Sequence, residues 1–175
     1  MKEIIFNDDN LSEIEVADKV VKVRVIIINS NEEVILSQFS GVYLLPGGKV
    51  KDNEDLIIAL QREVLEEVGI NLESRPVKPL LLIKQYIRDY PKKEDSSKFS
   101  DRLNETYYYI VKADDEMDTN KIELTENEIK HDFRTIRIKA NEIVTLVSNH
   151  MIDNYRNEYY SRELIAVMRE FEQNQ

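Results

Sequence analysis

The chain has 175 residues, 42% of them hydrophobic, and its 34 acidic residues outnumber its 24 basic residues to give a net charge of −10. A chain of this length can bury a sizeable core, and we expect one domain over residues 1–175. The absence of cysteine excludes disulfide bonds and thiol nucleophiles. The acidic balance argues against general nucleic-acid binding, which needs a basic surface.

The N-terminal segment predicts neither a signal peptide nor a membrane anchor. Its sequence, MKEIIFNDDN, is acidic and lacks a continuous apolar stretch, and no apolar run in the chain reaches membrane-spanning length. We therefore expect a cytoplasmic protein that does not enter a membrane. Residues 1–18 are expected to form either an added strand or a loose arm.

A β-hairpin is predicted next. Residues 19–29 (KVVKVRVIIIN) are apolar and β-branched, Asn29 to Glu32 have the composition of a turn, and residues 33–38 (EVILSQ) predict the pairing strand. Residues 41–45 then lead into Pro46-Gly47-Gly48, a tight turn that brings the backbone to the start of a helix.

The first helix is predicted from Asp55 to Val68, with Asn53 or Asp52 as its N-cap and Gly69 as a left-handed C-cap. Glu54 is placed in the first turn, where negative charge is favoured. An apolar strip at four-residue spacing faces the predicted core, formed by Leu56, Leu60, Val64 and Val68.

Three carboxylates share another face of this helix. Glu63, Glu66 and Glu67 stand at i, i+3 and i+4, where like charges repel one another. If they converge in a cleft, a cation removes that repulsion, and hard carboxylate oxygens favour Mg²⁺ or Mn²⁺ over zinc. The alternative is a solvated acidic helix face, which is the usual fate of a run of charges.

The second half of the chain continues the alternation of strands and helices. Residues 80–87 and 105–112 predict strands, and the charged segment 89–104 between them predicts a loop, either a lid over the substrate or a disordered excursion. Helical patterns follow at 140–148 and at 161–173. The ordering indicates a mixed sheet with helices on its faces, of α/β to α+β class.

The C-terminal helix, 161–173, is apolar on one side. It can pack on the chain's own core or on a second subunit of a homodimer, and we expect the former.

The segment GKVKDNEDLIIALQREVLEEVGI resembles the signature box of the Nudix hydrolases, which cleave nucleoside diphosphates linked to another moiety. The matching positions are Gly48, Glu54, Arg62, Glu63, Val64, Glu66, Glu67, Gly69 and Ile70. The approach YLLPGG and the later NEIKHDFRTIRIKANEI are also similar to family segments. The resemblance implies an α/β/α sandwich with a central mixed sheet. It also implies divalent-metal-dependent attack of water on a phosphorus of a small nucleotide-type substrate.

The resemblance also implies roles for individual residues of the box. Glu63, Glu66 and Glu67 match the metal ligands, and the carbonyl of Gly48 is a further expected ligand. Glu54 and Arg62 resemble a pair that holds the preceding loop against the helix. Since eight residues of straight helix span about 12 Å, Glu54 must lie at the helix mouth or in the loop, folded back toward Arg62.

A late acidic residue is expected to complete the site as metal ligand or general base. Glu128 is the first candidate, because it precedes the strand predicted near Phe133, and Glu126 is the second. Glu63 can also serve as the base. Either late glutamate has the alternative of being an ordinary loop residue.

Aromatic and basic side chains are the candidate substrate contacts. Tyr43 and Tyr86 are candidates to stack on a base, and the position of Tyr86 is similar to that of a tyrosine in the dinucleoside-polyphosphate branch of the family. Lys84 and Arg88 are candidate phosphate contacts, with surface solubility as the alternative.

Two other functions occur on a similar fold. The Nudix-fold isomerases of isopentenyl diphosphate use a cysteine, which this chain lacks. A non-catalytic nucleotide-binding or regulatory module of the same fold is the remaining alternative, and the intact box argues against it.

Overall fold

A computed structural model describes residues 1–92, 97–153 and 158–174. Within these ranges the strands are β1 Lys2–Phe6, β2 Asp18–Ile28, β3 Glu33–Phe39, β4 Val42–Leu44, β5 Lys78–Pro91, β6 Phe99–Lys112 and β7 Arg134–Lys139. The helices are α1 Leu56–Val68, α2 Glu126–Lys130, α3 Ile143–Asp153 and α4 Glu158–Gln173, with short 3₁₀ turns at Thr119–Lys121 and Ala140–Glu142.

The strands form one mixed sheet in the order β1-β5-β6-β2-β3-β4, with β7 paired to β3 as well. β1 runs parallel to β5, and β2 runs parallel to β6 along its whole length, whereas the remaining pairs are antiparallel. The N-terminal segment thus supplies an added strand, one of the two arrangements expected for it.

The strands β2 and β3 meet only at Ile28 and Val34 and then separate. The expected hairpin is therefore correct at its turn and wrong along its length, because β3 pairs instead with β7 and β4. The segment Pro46–Val50 occupies the place beside β2. Val23 N donates to Gly48 O and Val25 N to Pro46 O, both at 3.0 Å.

Helices cover both faces of the sheet. On one face α1 buries Leu60 and Val64 against β2 residues such as Val25. On the other, α3 and α4 bury an apolar cluster that includes Val147 and Met168. The molecule is therefore the α/β/α sandwich with a central mixed sheet that the sequence predicted. None of the helices in the described part of the chain is long and apolar enough to span a bilayer.

The boundaries of α1 differ from the prediction at one end. Asp55 is the N-cap, and its side chain accepts hydrogen bonds from Ile57 N at 2.8 Å and Ile58 N at 3.3 Å. Asn53 or Asp52 as N-cap is therefore wrong, and Glu54 lies before the helix instead of in its first turn. Gly69 adopts the predicted left-handed conformation, with φ 69°.

The predicted loop at 89–104 is largely strand. β5 continues to Pro91 and β6 begins at Phe99, with Tyr90 paired to Ser100. The lid predicted as one interpretation of this segment would be centred on residues 93–96, which lie outside the described ranges.

Candidate active site

A cleft of about 1080 Å³ opens where α1, the Pro46–Val50 segment, the ends of β2 and β3, and α2 come together. Its acidic lining residues are Glu63, Glu66 and Glu67 from α1 together with Asp52, Glu123 and Glu128. Its basic lining residues are Lys22, Arg24, Lys49, Lys51 and Arg62. The cleft therefore brings carboxylates and cations together.

Gly47 fixes the deepest carboxylate. Glu67 is only 8% exposed, and its side chain accepts a hydrogen bond from Gly47 N at 2.9 Å. Gly47 has φ 131°, and a Cβ there would lie 2.1 Å from Val23 O of the adjacent strand. Only glycine allows the backbone to approach β2 so closely and still direct its N–H at Glu67.

Gly48 leaves room for a second carboxylate. A Cβ at Gly48 would lie 2.2 Å from Oε2 of Glu63, so the absence of a side chain there is what lets Glu63 enter the cleft. The carbonyl of Gly48, an expected metal ligand, accepts the hydrogen bond from Val23 N. It keeps one lone pair for another partner.

Arg62 joins the loop to the helix. Its guanidinium contacts both carboxylate oxygens of Glu54, through Nε at 2.8 Å and Nη2 at 2.9 Å. Nη1 also donates to Glu63 at 2.6 Å and to Glu66 at 3.3 Å. Glu54 thus folds back from the loop toward Arg62. Arg62 makes the i,i+4 contact with Glu66 in addition to its pair with Glu54.

Burial raises the pKa of the two inner carboxyls. For Glu67 the loss of hydration raises the pKa to about 8, against the lowering effects of Arg24 and the Gly47 N–H. Burial also raises the pKa of Glu63, partly offset by Arg62. Carboxylates in such positions are costly to ionise without an added positive charge nearby.

The three box carboxylates line one cleft without converging. No group of three or more Asp, Glu or His side chains in the described ranges stands in an arrangement that could hold a metal ion. The reason is visible in their partners, since Arg62 holds Glu63 and Glu66 while Gly47 holds Glu67.

Glu128 and Glu126, the two candidates for the late acidic residue, differ in their position relative to the cleft. Glu128 lines the cleft and contributes to the raised pKa of Glu67. It also closes a capping box on α2, where its side chain accepts from Thr125 N at 2.6 Å and Thr125 Oγ1 at 2.8 Å. Glu126 is on the same short helix but is not among the residues that line the cleft.

The basic residues of β2 were missed by the sequence analysis. Lys22 and Arg24 lie on one side of this strand and both line the cleft, and Arg24 donates to the carbonyl of Leu45. Their alternation with apolar residues in this strand is the signal that could have identified them. Lysine and arginine are rarely buried in a central strand unless they have a partner or a function. Ser37 also lines the cleft, with a buried hydroxyl that lacks a partner among the described residues.

The candidate substrate residues lie elsewhere. Tyr43 packs edge-on against His150, with ring centroids 5.0 Å apart. Lys84 pairs with Glu3 at 2.9 Å. Tyr86, on the same strand as Lys84, and Arg88 are likewise absent from the residues that line the cleft. The structure thus brings the box residues and Glu128 together and leaves these four side chains outside.

Comparisons with known proteins agree with this architecture. The chain is 40% identical over 68 residues to 8-oxo-dGDP phosphatase NUDT18 of Danio rerio, and the alignment covers 36% of this chain and 20% of that protein. The fold resembles the E. coli dihydroneopterin triphosphate pyrophosphohydrolase, with TM-score 0.54 and 16% identity over 83% of this chain and 94% of the other. It also resembles a MutT protein of Bacillus halodurans, with TM-score 0.52 and 19% identity over 76% and 78%.

The family model described as NUDIX domain matches residues 18–153, which is most of the chain. The match begins at β2 and includes the box, the cleft and α3. Together with the α/β/α sandwich, it shows that this chain belongs to the Nudix family.

Proposed function

We propose that the protein hydrolyses the diphosphate bond of a nucleoside diphosphate linked to another moiety, in the presence of Mg²⁺ or Mn²⁺. The observation that carries this proposal is the cleft itself, which is lined by the carboxyls of Glu63 and Glu67 together with Lys22 and Arg24. A polyanionic substrate is drawn to the basic side chains, and the carboxylates supply oxygen ligands.

The residues present fit a divalent cation by their chemistry. Glu63, Glu66, Glu67, the carbonyl of Gly48 and Glu128 are hard oxygen donors that would hold it. Burial raises the pKa of Glu67 to about 8, and a positive charge beside it would favour the ionised form. A bound divalent cation would neutralise phosphate oxygens and lower the pKa of water.

The chain's own side chains prepare the reaction in three ways. Lys22 and Arg24 bind the phosphate oxygens and orient the diphosphate along the cleft. Arg62 keeps the loop that carries Glu54 against α1. Glu128 accepts the proton from the attacking water, with Glu63 as the alternative acceptor and Glu126 third, since it does not line the cleft.

A few classes of compound are candidate substrates. The relative from Danio rerio is named for action on 8-oxo-dGDP, so oxidised and ordinary nucleoside diphosphates belong on it, beside nucleotide sugars and dinucleoside polyphosphates. We also propose that the protein is cytoplasmic and that residues 1–175 form one domain. In this proposal α4 packs on the core of its own chain and not on a second subunit of a homodimer. Tyr43, Tyr86, Lys84 and Arg88 stay predictions as substrate contacts.

The test is a screen of these compounds with Mg²⁺ and with Mn²⁺, in which the released phosphate products are identified by chromatography. We expect hydrolysis that disappears with excess chelator and returns with the cation. The cation alone should also raise the melting temperature, because it binds the folded state only. Full turnover in excess chelator would contradict cation dependence. Nucleotide binding without turnover of any compound would favour the binding module.

A further inference from the structure

Two smaller spaces continue the cleft away from the box. The first, of about 560 Å³, shares Lys22 and Arg24 with the cleft and adds Tyr90 and Tyr160. The second, of about 510 Å³, shares these two tyrosines and is called the tyrosine pocket below. Its other lining residues are Gln85, Ile87, Arg88, Asp89, Pro91, Asn104 and Tyr159, so that Arg88, a predicted phosphate contact, lies here and not in the cleft. A continuous surface therefore runs from the carboxylates, past two cations, to a group of aromatic rings.

The tyrosine pocket holds a buried acceptor without a donor. Asn104 is 5% exposed, and its Oδ1 has no hydrogen-bond partner among the described residues. Most buried polar atoms are paired, and one left unpaired is costly, so a ligand that donates a hydrogen bond there gains an interaction that the free protein lacks. In the described part of the chain the other such atom is the hydroxyl of Ser37, which lines the cleft.

The rings around Asn104 favour a planar ligand. Tyr90 and Tyr160 line both this pocket and the space that joins it to the cleft. The guanidinium of Arg102 lies 3.8 Å from the centroid of Tyr90 and holds that ring in place. Tyr159 is 45% exposed and offers a free aromatic surface at the entrance. Aromatic side chains of this kind stack on nucleobases.

We propose that the tyrosine pocket binds the nucleobase of the substrate, with Oδ1 of Asn104 accepting a hydrogen bond from a base N–H. Lys22 and Arg24 then lie between the base and the carboxylates, where the phosphates of a nucleotide must pass. This inference rests on the proposed function for the orientation of the substrate. The base recognition itself is a property of binding and can be measured without turnover.

The experiment compares binding of AMP, GMP, CMP and UMP with binding of ribose 5-phosphate, by calorimetry in the presence of Mg²⁺. We expect at least one nucleotide to bind about tenfold or more tightly than ribose 5-phosphate, because only the nucleotide fills the pocket. Asn104→Leu should reduce that preference by about tenfold and leave ribose 5-phosphate binding unchanged. Its melting temperature should not fall, because the substitution removes an unpaired buried acceptor.

Thr106→Val is the matched control, since Thr106 is buried two residues along the same strand and lines neither the cleft nor the tyrosine pocket. It should leave the preference intact. Tyr159→Ala, a change at an exposed side chain, should weaken the preference independently of Asn104.

Equal binding of nucleotides and ribose 5-phosphate by the wild-type protein would overturn the inference. An unchanged preference in both Asn104→Leu and Tyr159→Ala would also overturn it. Base preference without hydrolysis would contradict the proposed function alone, whereas hydrolysis without base preference would contradict the tyrosine pocket alone.

Discussion

The neighbouring glycines Gly47 and Gly48, at the start of the box, have separate tasks. Gly47 lets the backbone approach β2, whereas Gly48 leaves space for the end of a flexible glutamate side chain. Gly48→Ala should therefore displace Glu63 with little loss of stability and lower kcat by about a hundredfold, because small displacements of reacting groups are costly. Steady-state kinetics and thermal unfolding of the same preparation test this. Unchanged kcat would show that Glu63 does not need its present position.

Gly47→Ala is the matched comparison. Its Cβ would meet the backbone oxygen of Val23 at 2.1 Å, and its φ of 131° is strained for alanine. We expect the free energy of unfolding to fall by more than about 2 kcal/mol. Denaturant titration measures this, and a stability equal to that of Gly48→Ala would contradict the assignment of tasks.

The proton acceptor is tested by two substitutions on one short helix. Glu128→Gln keeps the capping interaction with Thr125, because glutamine also caps a helix in this position, and removes only the charge. We expect kcat to fall strongly with KM nearly unchanged. Glu126→Gln should be silent. If both variants keep wild-type kcat, the base lies in the box, with Glu63 the first candidate.

At this scale the sequence predicted the residues whose spacing is local. The carboxylates of α1 and the glycine C-cap follow from helical periodicity and backbone conformation. Arg24 and Ser37 reach the cleft only because β2 and β3 separate, and the position of Asn104 depends on the pairing of β5 with β6. Such contacts between distant segments leave no periodic signal in one sequence.

At the scale of elements, the Glu54–Arg62 pair connects α1 to the loop before it. Hydrogen bonding from Arg62 lowers the pKa of Glu54 from 4.5 to about 2. Because the folded-state pKa is depressed, the pair stabilises the folded protein above about pH 4.5, and this stabilisation is lost as the pH falls toward 2.

Glu54→Gln should therefore lower the free energy of unfolding at neutral pH by about 1–3 kcal/mol. The difference from wild type should shrink at about pH 3. Denaturant titrations at both pH values measure it, with the exposed Glu13→Gln as control. A difference of equal size at both pH values would mean that the ion pair is not its source.

The loop predicted at 89–104 was wrong for a physical reason. The segment is charged, but in its described part Arg102 pairs across the sheet with Asp18 of β2 at 2.7 Å. Long-range strand pairing overrode the local preference for a loop. The box helix was predicted well because its apolar strip, C-cap and length are all local properties.

At the scale of the whole molecule, α4 completes the core on the face opposite α1. Met168 is fully buried there. The buried Glu163 also accepts a hydrogen bond from Tyr108 of β6 at 2.5 Å. The sequence left open whether this helix packs on its own core or on a second subunit. These contacts lie within one chain, and they tie the helix to the strands behind the cleft.

Met168→Ala should lower the free energy of unfolding by about 2–5 kcal/mol, because it leaves a cavity in a packed core. The exposed neighbour Arg169→Ala should change it little. Both are measured by chemical denaturation at several protein concentrations. A loss that grows on dilution would instead place the helix in a subunit interface.

We propose that hydrolysis depends on the carboxylates of the box, which would hold the cation, and above all on the buried Glu67. The measurement that tests it most directly is kcat of wild type and Glu67→Gln on the best nucleoside diphosphate substrate at saturating Mg²⁺. Glutamine keeps the volume and the contact with Gly47 N but removes the charge. We predict a fall of roughly several hundredfold with an unchanged unfolding transition. Near wild-type kcat in Glu67→Gln would contradict the account.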